Sequence, residues 1–392
     1  MRGLDAGRPL RTALLAWDYP PAPSGLSTAA REIAEGLAEA GAAVTVFTLD
    51  RAGRETRGRV DVLGCATRPG GGLAGLRRFG SLGHLAAPLA FRRAVLAEHR
   101  RDPFDLVEAT NWYAPAVLLA GRLPVVTRSS TPAALTLAPV GTLRDRLDGA
   151  SARALERRQA RASAGLIANT EAHGRRIADL YDLAGGQPEA VIGLSLPPET
   201  LARGRAAPYP GPEGPLRLLF VGRAETRKGF DLLLDALGRL AAEGADFLLT
   251  LVGVGAGDLP PNLPAGLRAR LEPLGRVDEA TRDAAYAGAH AVLAPSRYES
   301  FGLVYQEALA RGRPVVALAE DASASTFVAD AGLLAPESTG AGLAEAIRPL
   351  LADPGLRLAL REKAFARAGR FDRRGLGRAT LALYRRALAQ SR

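Results

Sequence analysis

The chain has 392 residues, 47% hydrophobic and 23% charged, with a net charge of +10, one cysteine (Cys65) and 5% aromatic residues. That length points to two domains with real cores. A single cysteine excludes a disulfide framework or a cysteine-based zinc cluster, and the low aromatic content argues against a nucleic-acid reader built on stacking platforms. No apolar run approaches the roughly 18 residues of a bilayer span. Residues 1–19 lack the apolar segment and cleavage site of a signal peptide, so a cytoplasmic enzyme is expected. His84, His99, His173 and His290 show no metal-ligand spacing, and no metal site is expected.

A strand is predicted at Thr12–Ala16, then the loop PPAPSGLS, a helix from Thr28 to Ala40 that stops at Gly41, and a strand at Val44–Leu49. Further short β-rich runs lie at Asp105–Ala109, Val125–Arg128, Leu166–Asn169 and Ala190–Leu194, among helical segments at 85–101, 143–163 and 171–183. This alternation implies a parallel sheet covered on both faces. Charge is uneven. Residues 51–101 hold eleven arginines against Glu55, Asp61 and Glu98, and residues 361–392 hold ten cations against Glu362 and Asp372. Basic surface of this kind attracts phosphates, anionic lipid or nucleic acid, or is simply a solvated helix face. In 85–101, Leu85, Leu89 and Leu96 share one helical face flanked by Arg92 and Arg100. A peripheral membrane contact and an ordinary core-packed helix both fit that pattern. Asn111, Trp112 and Tyr113 follow a strand and are expected to face the cleft between the domains, where Asn111 and Trp112 would meet an acceptor; a Trp buried in packing is the alternative.

Residues 197–215, PPETLARGRAAPYPGPEGP, are too rich in proline and glycine for either period and read as a linker. It separates residues 1–196 from residues 216–371, where strands (Leu216–Val221, Phe247–Val252, Ala291–Ala294, Val315–Leu318) again alternate with helices (230–243, 279–288, 302–312). Helices at 341–352, 355–369 and 375–391 close the chain. Gly253, Gly255 and Gly257 suggest a dinucleotide fingerprint, but Asp258 takes the third glycine's place and Pro260, Pro261 and Pro264 forbid the helix that should follow. Two doubly wound domains would bind ligands at the carboxyl ends of their strands.

Two stretches carry chemistry. In LRLLFVGRAETRKGF a strand runs out at Gly222, Arg223 follows, and Lys228-Gly229 precedes a helix. A planar guanidinium and a compact ammonium at a helix N-terminus make a cradle for a diphosphate. In HAVLAPSRYESFGLVYQEALARGRPVVAL a buried strand leads to Glu299, and a helix starting near Phe301-Gly302 carries Glu307. The backbone N–H groups of Phe301, Gly302 and Leu303 would point at an anion. Alternatively, Glu307 pairs with Arg311 one turn on, and Glu299 is a solvated loop acid.

Taken together, GR-x4-KG and PS-x2-E-x-FG-x4-E-A-x2-G-x-PVVA resemble the retaining glycosyltransferases of the large group-1 family (family 4), which have the α/β GT-B fold of two Rossmann-like domains facing across a cleft. The resemblance covers most of residues 216–318. It implies a nucleotide-sugar donor, UDP- or GDP-linked, used without a metal and with no further cofactor. It gives the diphosphate to Arg223 and Lys228, the donor-sugar hydroxyls to Glu299, the ribose to Glu307, and the base to the segment containing Arg276 and Val277. In the first half it places Gly25 at the diphosphate side of the first turn, Ser130 where many relatives carry a histidine, and Asp321-Ala-Ser-Ala-Ser325 where a Gly-Gly-x-x-Glu stretch is usual. It also implies that residues 372–392 cross back to the N-terminal domain. A sugar-nucleotide epimerase and a non-catalytic nucleotide-sugar binder would use the same fold.

Overall fold

The computed structural model describes residues 8–22, 24–65, 82–136 and 141–391. The chain forms two compact units, Met1–Ser195 with Asp372–Arg392, and Leu196–Phe371.

The first unit is built on an eight-stranded sheet. Its strands are β1 (Arg11–Ala16), β2 (Ala43–Thr48), β3 (Ala52–Arg57), β4 (Val60–Cys65), β5 (Leu106–Thr110), β6 (Val125–Arg128), β7 (Gly165–Ala168) and β8 (Glu189–Val191), in the order β3-β4-β2-β1-β5-β6-β7-β8. Central strands such as RTALLA are apolar because both faces are covered. All pairings are parallel except β3–β4, a hairpin at the sheet edge. That hairpin is missing from the expected elements. Its outer strand reads AGRETR and is almost wholly exposed, so no apolar alternation marks it, and its charges protect an open edge.

Helices α1 (Gly25–Glu39), α2 (Ala86–Arg101), α3 (Ala133–Thr136), α4 (Leu143–Arg161) and α5 (Glu171–Tyr181) connect the strands. In α2, Phe91 and Val95 are fully buried against Phe47, Phe104 and Val107, and Leu96 packs on the same core. The core-packed reading thus holds for Phe91, Val95 and Leu96, while Leu85 and Leu89 are half-buried. Among the described residues no helix is long and apolar enough to cross a membrane.

The second unit begins with α6 (Pro198–Ala206). Residues 197–215 are thus not a structureless linker: Pro198 takes the first helical turn, where its missing N–H costs nothing. The unit's strands β9 (Leu216–Val221), β10 (Phe247–Val252), β11 (Leu271–Gly275), β12 (Ala291–Ala294), β13 (Val315–Leu318) and β14 (Gly332–Ala335) form one parallel sheet in the order β11-β10-β9-β12-β13-β14. Around them lie α7 (Phe230–Ala242), α8 (Ala265–Arg268), α9 (Glu279–Ala287), α10 (Leu303–Ala310), α11 (Ala322–Phe327), α12 (Gly340–Ala352) and α13 (Pro354–Ala368). The strand order turns back at β9, between β10 and β12, so the loops after β9 and β12 meet at the point where doubly wound sheets bind ligands.

The last helix, α14 (Arg373–Gln390), belongs to the first unit. It packs on α1 through two glycines: a Cβ at Gly377 would fall 1.8 Å from the Gly36 carbonyl oxygen. A second buried group fastens it to the sheet. Arg128 Nε donates to Glu108 (2.7 Å), Arg128 Nη2 donates to Thr380 Oγ1 (3.0 Å), and the Tyr384 hydroxyl donates to the other Glu108 oxygen.

Candidate active site

The loops after β9 and β12 touch at Gly229. This residue has φ of 68°, and a Cβ there would lie 1.8 Å from the Pro295 carbonyl oxygen. Only glycine combines that left-handed turn with so close an approach. The consequence is chemical: the neighbouring Lys228 Nζ reaches Glu299 Oε1 at 2.5 Å. Ser296 Oγ donates to the same oxygen at 2.8 Å, and Arg227 lies 3.6 Å from the other oxygen while donating to the Tyr298 carbonyl at 3.2 Å. Glu299 is buried. Burial alone would raise its pKa, but Lys228 and Arg227 outweigh that and hold the carboxyl below its usual range.

The backbone of Glu299 is held as firmly as its side chain. Its N–H donates to Asp321 Oδ1 (3.2 Å), and its carbonyl accepts from Ser323 Oγ (2.7 Å). Asp321 also accepts from the Ser323 N–H (3.1 Å) and from the Tyr305 hydroxyl (2.5 Å). Burial, with the Glu299 charge nearby, pushes Asp321 up to about 6 in spite of these hydrogen bonds. So the aspartate that replaces the usual glycine turns inward and braces the loop bearing Glu299.

The other expected donor-side residues are placed as follows. Arg223 is on the same loop but solvent-facing, paired with Glu225 at 2.7 Å. The space beside Gly222 is taken by the Phe220 ring, 3.1 Å from where a Cβ would be. Phe301 is buried against Phe327, with ring centroids 4.6 Å apart, and anchors the turn in which Gly302 caps α10. Leu303 opens that helix, whose first-turn N–H groups have no acceptor within it. The alternative for Glu307, an ion pair with Arg311, is not what the structure has. Arg311 binds Asp283 and donates to the Glu307 main-chain carbonyl (3.0 Å), while the Glu307 carboxylate accepts from the Tyr286 hydroxyl (3.0 Å). Arg276 and Val277 follow β11, the first exposed and the second packed on the core.

In the first unit, Gly25 opens α1 behind Ser24, whose Oγ caps the Ser27 N–H (3.0 Å) and donates to Asp18 (2.6 Å). Asn111, expected at the surface of the cleft, is fully buried. Its amide accepts from the Ser130 N–H (2.6 Å) and donates to the Tyr181 hydroxyl (2.9 Å), so it positions Ser130. Trp112 is half-buried against Trp17. Among the described residues no group of three or more His, Cys, Asp or Glu could hold a metal ion. Sequence reasoning missed Arg227, Ser296, Tyr305 and Ser323. The one available signal was Asp321, a charged residue where the resemblance calls for glycine.

Comparison with known proteins shows the family and the fold. Residues 24–193 match a model described as glycosyl transferase 4-like domain, and residues 215–353 one described as glycosyl transferases group 1. The D-inositol 3-phosphate glycosyltransferase of Kineococcus radiotolerans is 32% identical, over 93% of this chain and 91% of its own. A phosphatidyl-myo-inositol mannosyltransferase of Mycolicibacterium smegmatis is 39% identical over 40% of this chain and 41% of its own. The fold, GT-B, is shared with the sucrose-phosphate synthase of Thermosynechococcus elongatus (TM-score 0.74, 22% identity, 97% of this chain and 100% of that one). It is also shared with a UDP-forming trehalose-phosphate synthase of Burkholderia vietnamiensis (TM-score 0.71, 16% identity, 98% of each chain). The chain is therefore a member of the group 1 glycosyl transferases.

Proposed function

We propose that the protein moves a sugar from a UDP- or GDP-linked donor to an acceptor hydroxyl, with retention of configuration and without a metal ion. The observation that supports this most is the pairing of part-buried Lys228 with buried Glu299 at the carboxyl ends of β9 and β12. An ammonium has three donors. One is held by Glu299, leaving others for diphosphate oxygens. Glu299, kept ionised by Lys228 and Arg227, accepts from donor-sugar hydroxyls. Among the described residues Arg223 is tied by an exposed pair with Glu225, worth about 0.2–1 kcal/mol, so it exchanges Glu225 for phosphate at little cost. The first-turn N–H groups of α10 add positive potential. Glu307 and the Arg276–Val277 segment bind the ribose and base.

The acceptor oxygen bonds to the anomeric carbon on the face from which the nucleotide leaves, as the bond from that carbon to the phosphate oxygen breaks. The departing phosphate takes the acceptor's proton, so no protein base is needed; positioning and charge stabilisation carry the rate. A thermal-shift screen of UDP, GDP, ADP and dTDP identifies the base, since a ligand at 100 times its Kd adds roughly 2.7 kcal/mol. NMR of the product's anomeric proton tests the stereochemistry. An inverted linkage contradicts the mechanism, and an epimerised donor formed without acceptor contradicts transfer.

A further inference from the structure

We infer that the acceptor is a neutral, hydroxyl-bearing sugar ring that stacks on an aromatic wall in the first unit; this rests on the glycosyl-transfer reading above. Trp17 directly follows β1, and Trp112 and Tyr113 follow β5, the neighbouring strand. The two indoles meet edge to face with centroids 5.4 Å apart, Tyr113 lies 5.0 Å from Trp112 and 6.3 Å from Trp17, and His84 stacks on Tyr113 at 5.0 Å. All four are half-buried. Part of each ring therefore remains open at the strand ends, where doubly wound sheets bind ligands.

The backbone that presents this wall is strained. Tyr113 and Ala114 have φ of 53° and 47°, two consecutive side-chain-bearing residues in the left-handed region. They are held there by buried acceptors on α4: Glu156 takes the Tyr113 N–H (2.9 Å), and Gln159 takes the Ala116 N–H (2.8 Å). Backbone strain that the surroundings maintain in this way gathers at functional sites.

Three enclosed polar atoms in or beside the wall have no hydrogen-bond partner: Asp18 Oδ1, Trp112 Nε1 and His84 Nε2. The first can only accept, the second can only donate and the imidazole nitrogen can do either, and buried orphan atoms of this kind call for an explanation. A ring bearing several hydroxyls offers each of them a complementary group. A phosphate or carboxylate offers Asp18 no donor and meets repulsion from it. Two arginines at the ends of neighbouring strands are already engaged. Arg51 binds Asp50, Glu55 and the Tyr19 and Pro20 carbonyls, and Arg128 is buried on Glu108. A pyranose matches the set, because its C–H face lies on the negative face of an aromatic ring while its rim carries hydroxyls.

The chain has only two tryptophans, and both are in this wall, so intrinsic fluorescence reads it directly. The full-length protein is titrated to 50 mM with a panel of neutral methyl glycosides and disaccharides, and in parallel with inositol 3-phosphate as an anionic probe. At least one neutral sugar is expected to give a saturable emission change, weakened fivefold or more in Trp112→Phe and in Asp18→Asn, with both variants retaining the wild-type circular dichroism. A flat response across the neutral panel, or saturation by inositol 3-phosphate alone, overturns the inference. Calorimetry with the nucleotide found by thermal shift separates this from the donor reading: binding that is lost in Lys228→Ala but kept in Trp112→Phe leaves the donor site standing whatever the sugar titration shows.

Discussion

Glu32 in the middle of α1 and Arg373 at the start of α14 form a buried two-pronged ion pair, with Arg373 Nε on Glu32 Oε2 at 2.9 Å and Nη2 on Oε1. Ser195 Oγ donates to the same carboxylate at 2.7 Å. Ser195 and Arg373 stand beside the two places where the chain passes between its units. One carboxylate thus fastens both ends of the first unit. Glu32→Ala takes the two-pronged partner from the Arg373 guanidinium, leaving it Glu35 at 2.5 Å, and is expected to lower stability by about 1–3 kcal/mol, read from urea unfolding. A loss below about 1 kcal/mol would show that the cluster is not what closes this unit.

The two donor-side cations separate by location. Arg223→Ala and Lys228→Ala should each reduce kcat/KM about 30-fold, the equivalent of about 2 kcal/mol of lost charged hydrogen bonding to phosphate. Only Lys228→Ala should also lower the melting temperature of the ligand-free protein, because it weakens the hold on the buried Glu299, whereas Arg223 is largely exposed and pairs with Glu225 at the surface. Wild-type turnover in both variants would remove the diphosphate assignment.

Asp321 binds its proton more tightly in the folded protein, with a pKa of about 6 against 3.8 in the unfolded chain. The stabilisation from that proton is complete below about pH 4 and is lost as pH rises through 6. Asp321→Asn keeps an acceptor for the Glu299 and Ser323 N–H groups and removes the cost of a buried charge. It should gain about 2–3 kcal/mol on wild type at pH 8 and converge with it near pH 4. Parallel curves at both pH values would mean that Asp321 is ionised throughout without penalty.

His173 has the opposite slope. Burial pushes its imidazole down to about 4, and the ring lies 3.2 Å from the Ser129 carbonyl. The neutral ring's contribution is complete above about pH 6.5 and is lost as pH falls toward 4, for a total of about 3 kcal/mol. With four histidines in the chain, the ring protons can be followed by NMR. One should remain in its neutral position until about pH 4, and a midpoint near 6.5 for all four would refute the assignment.

Much of this molecule can be read from the amino-acid sequence because its strands are buried on both faces. Runs such as LRLLFV and AVLA admit few alternatives, and the loops bearing Lys228 and Glu299 follow directly from where those runs stop. Elements that do not bury an apolar stripe escaped notice: the polar edge strand AGRETR, and a helix begun by Pro198 within a proline-rich stretch. Asn111 shows the limit at the level of a single side chain. Its position after β5 is evident from the pattern, but its burial depends on Tyr181 and Ser130, which are distant in sequence.

The placement of α14 has a consequence for biosynthesis. The second unit is one continuous stretch, Leu196–Phe371, and can close as soon as it clears the ribosome. The first unit needs Gly377 against Gly36, Thr380 on Arg128 and Tyr384 on Glu108, groups that emerge only after the whole second unit has been made. The unit that is begun first is thus closed after the second, and a nascent chain halted before residue 372 would carry an open apolar flank on α1, exposed to aggregation.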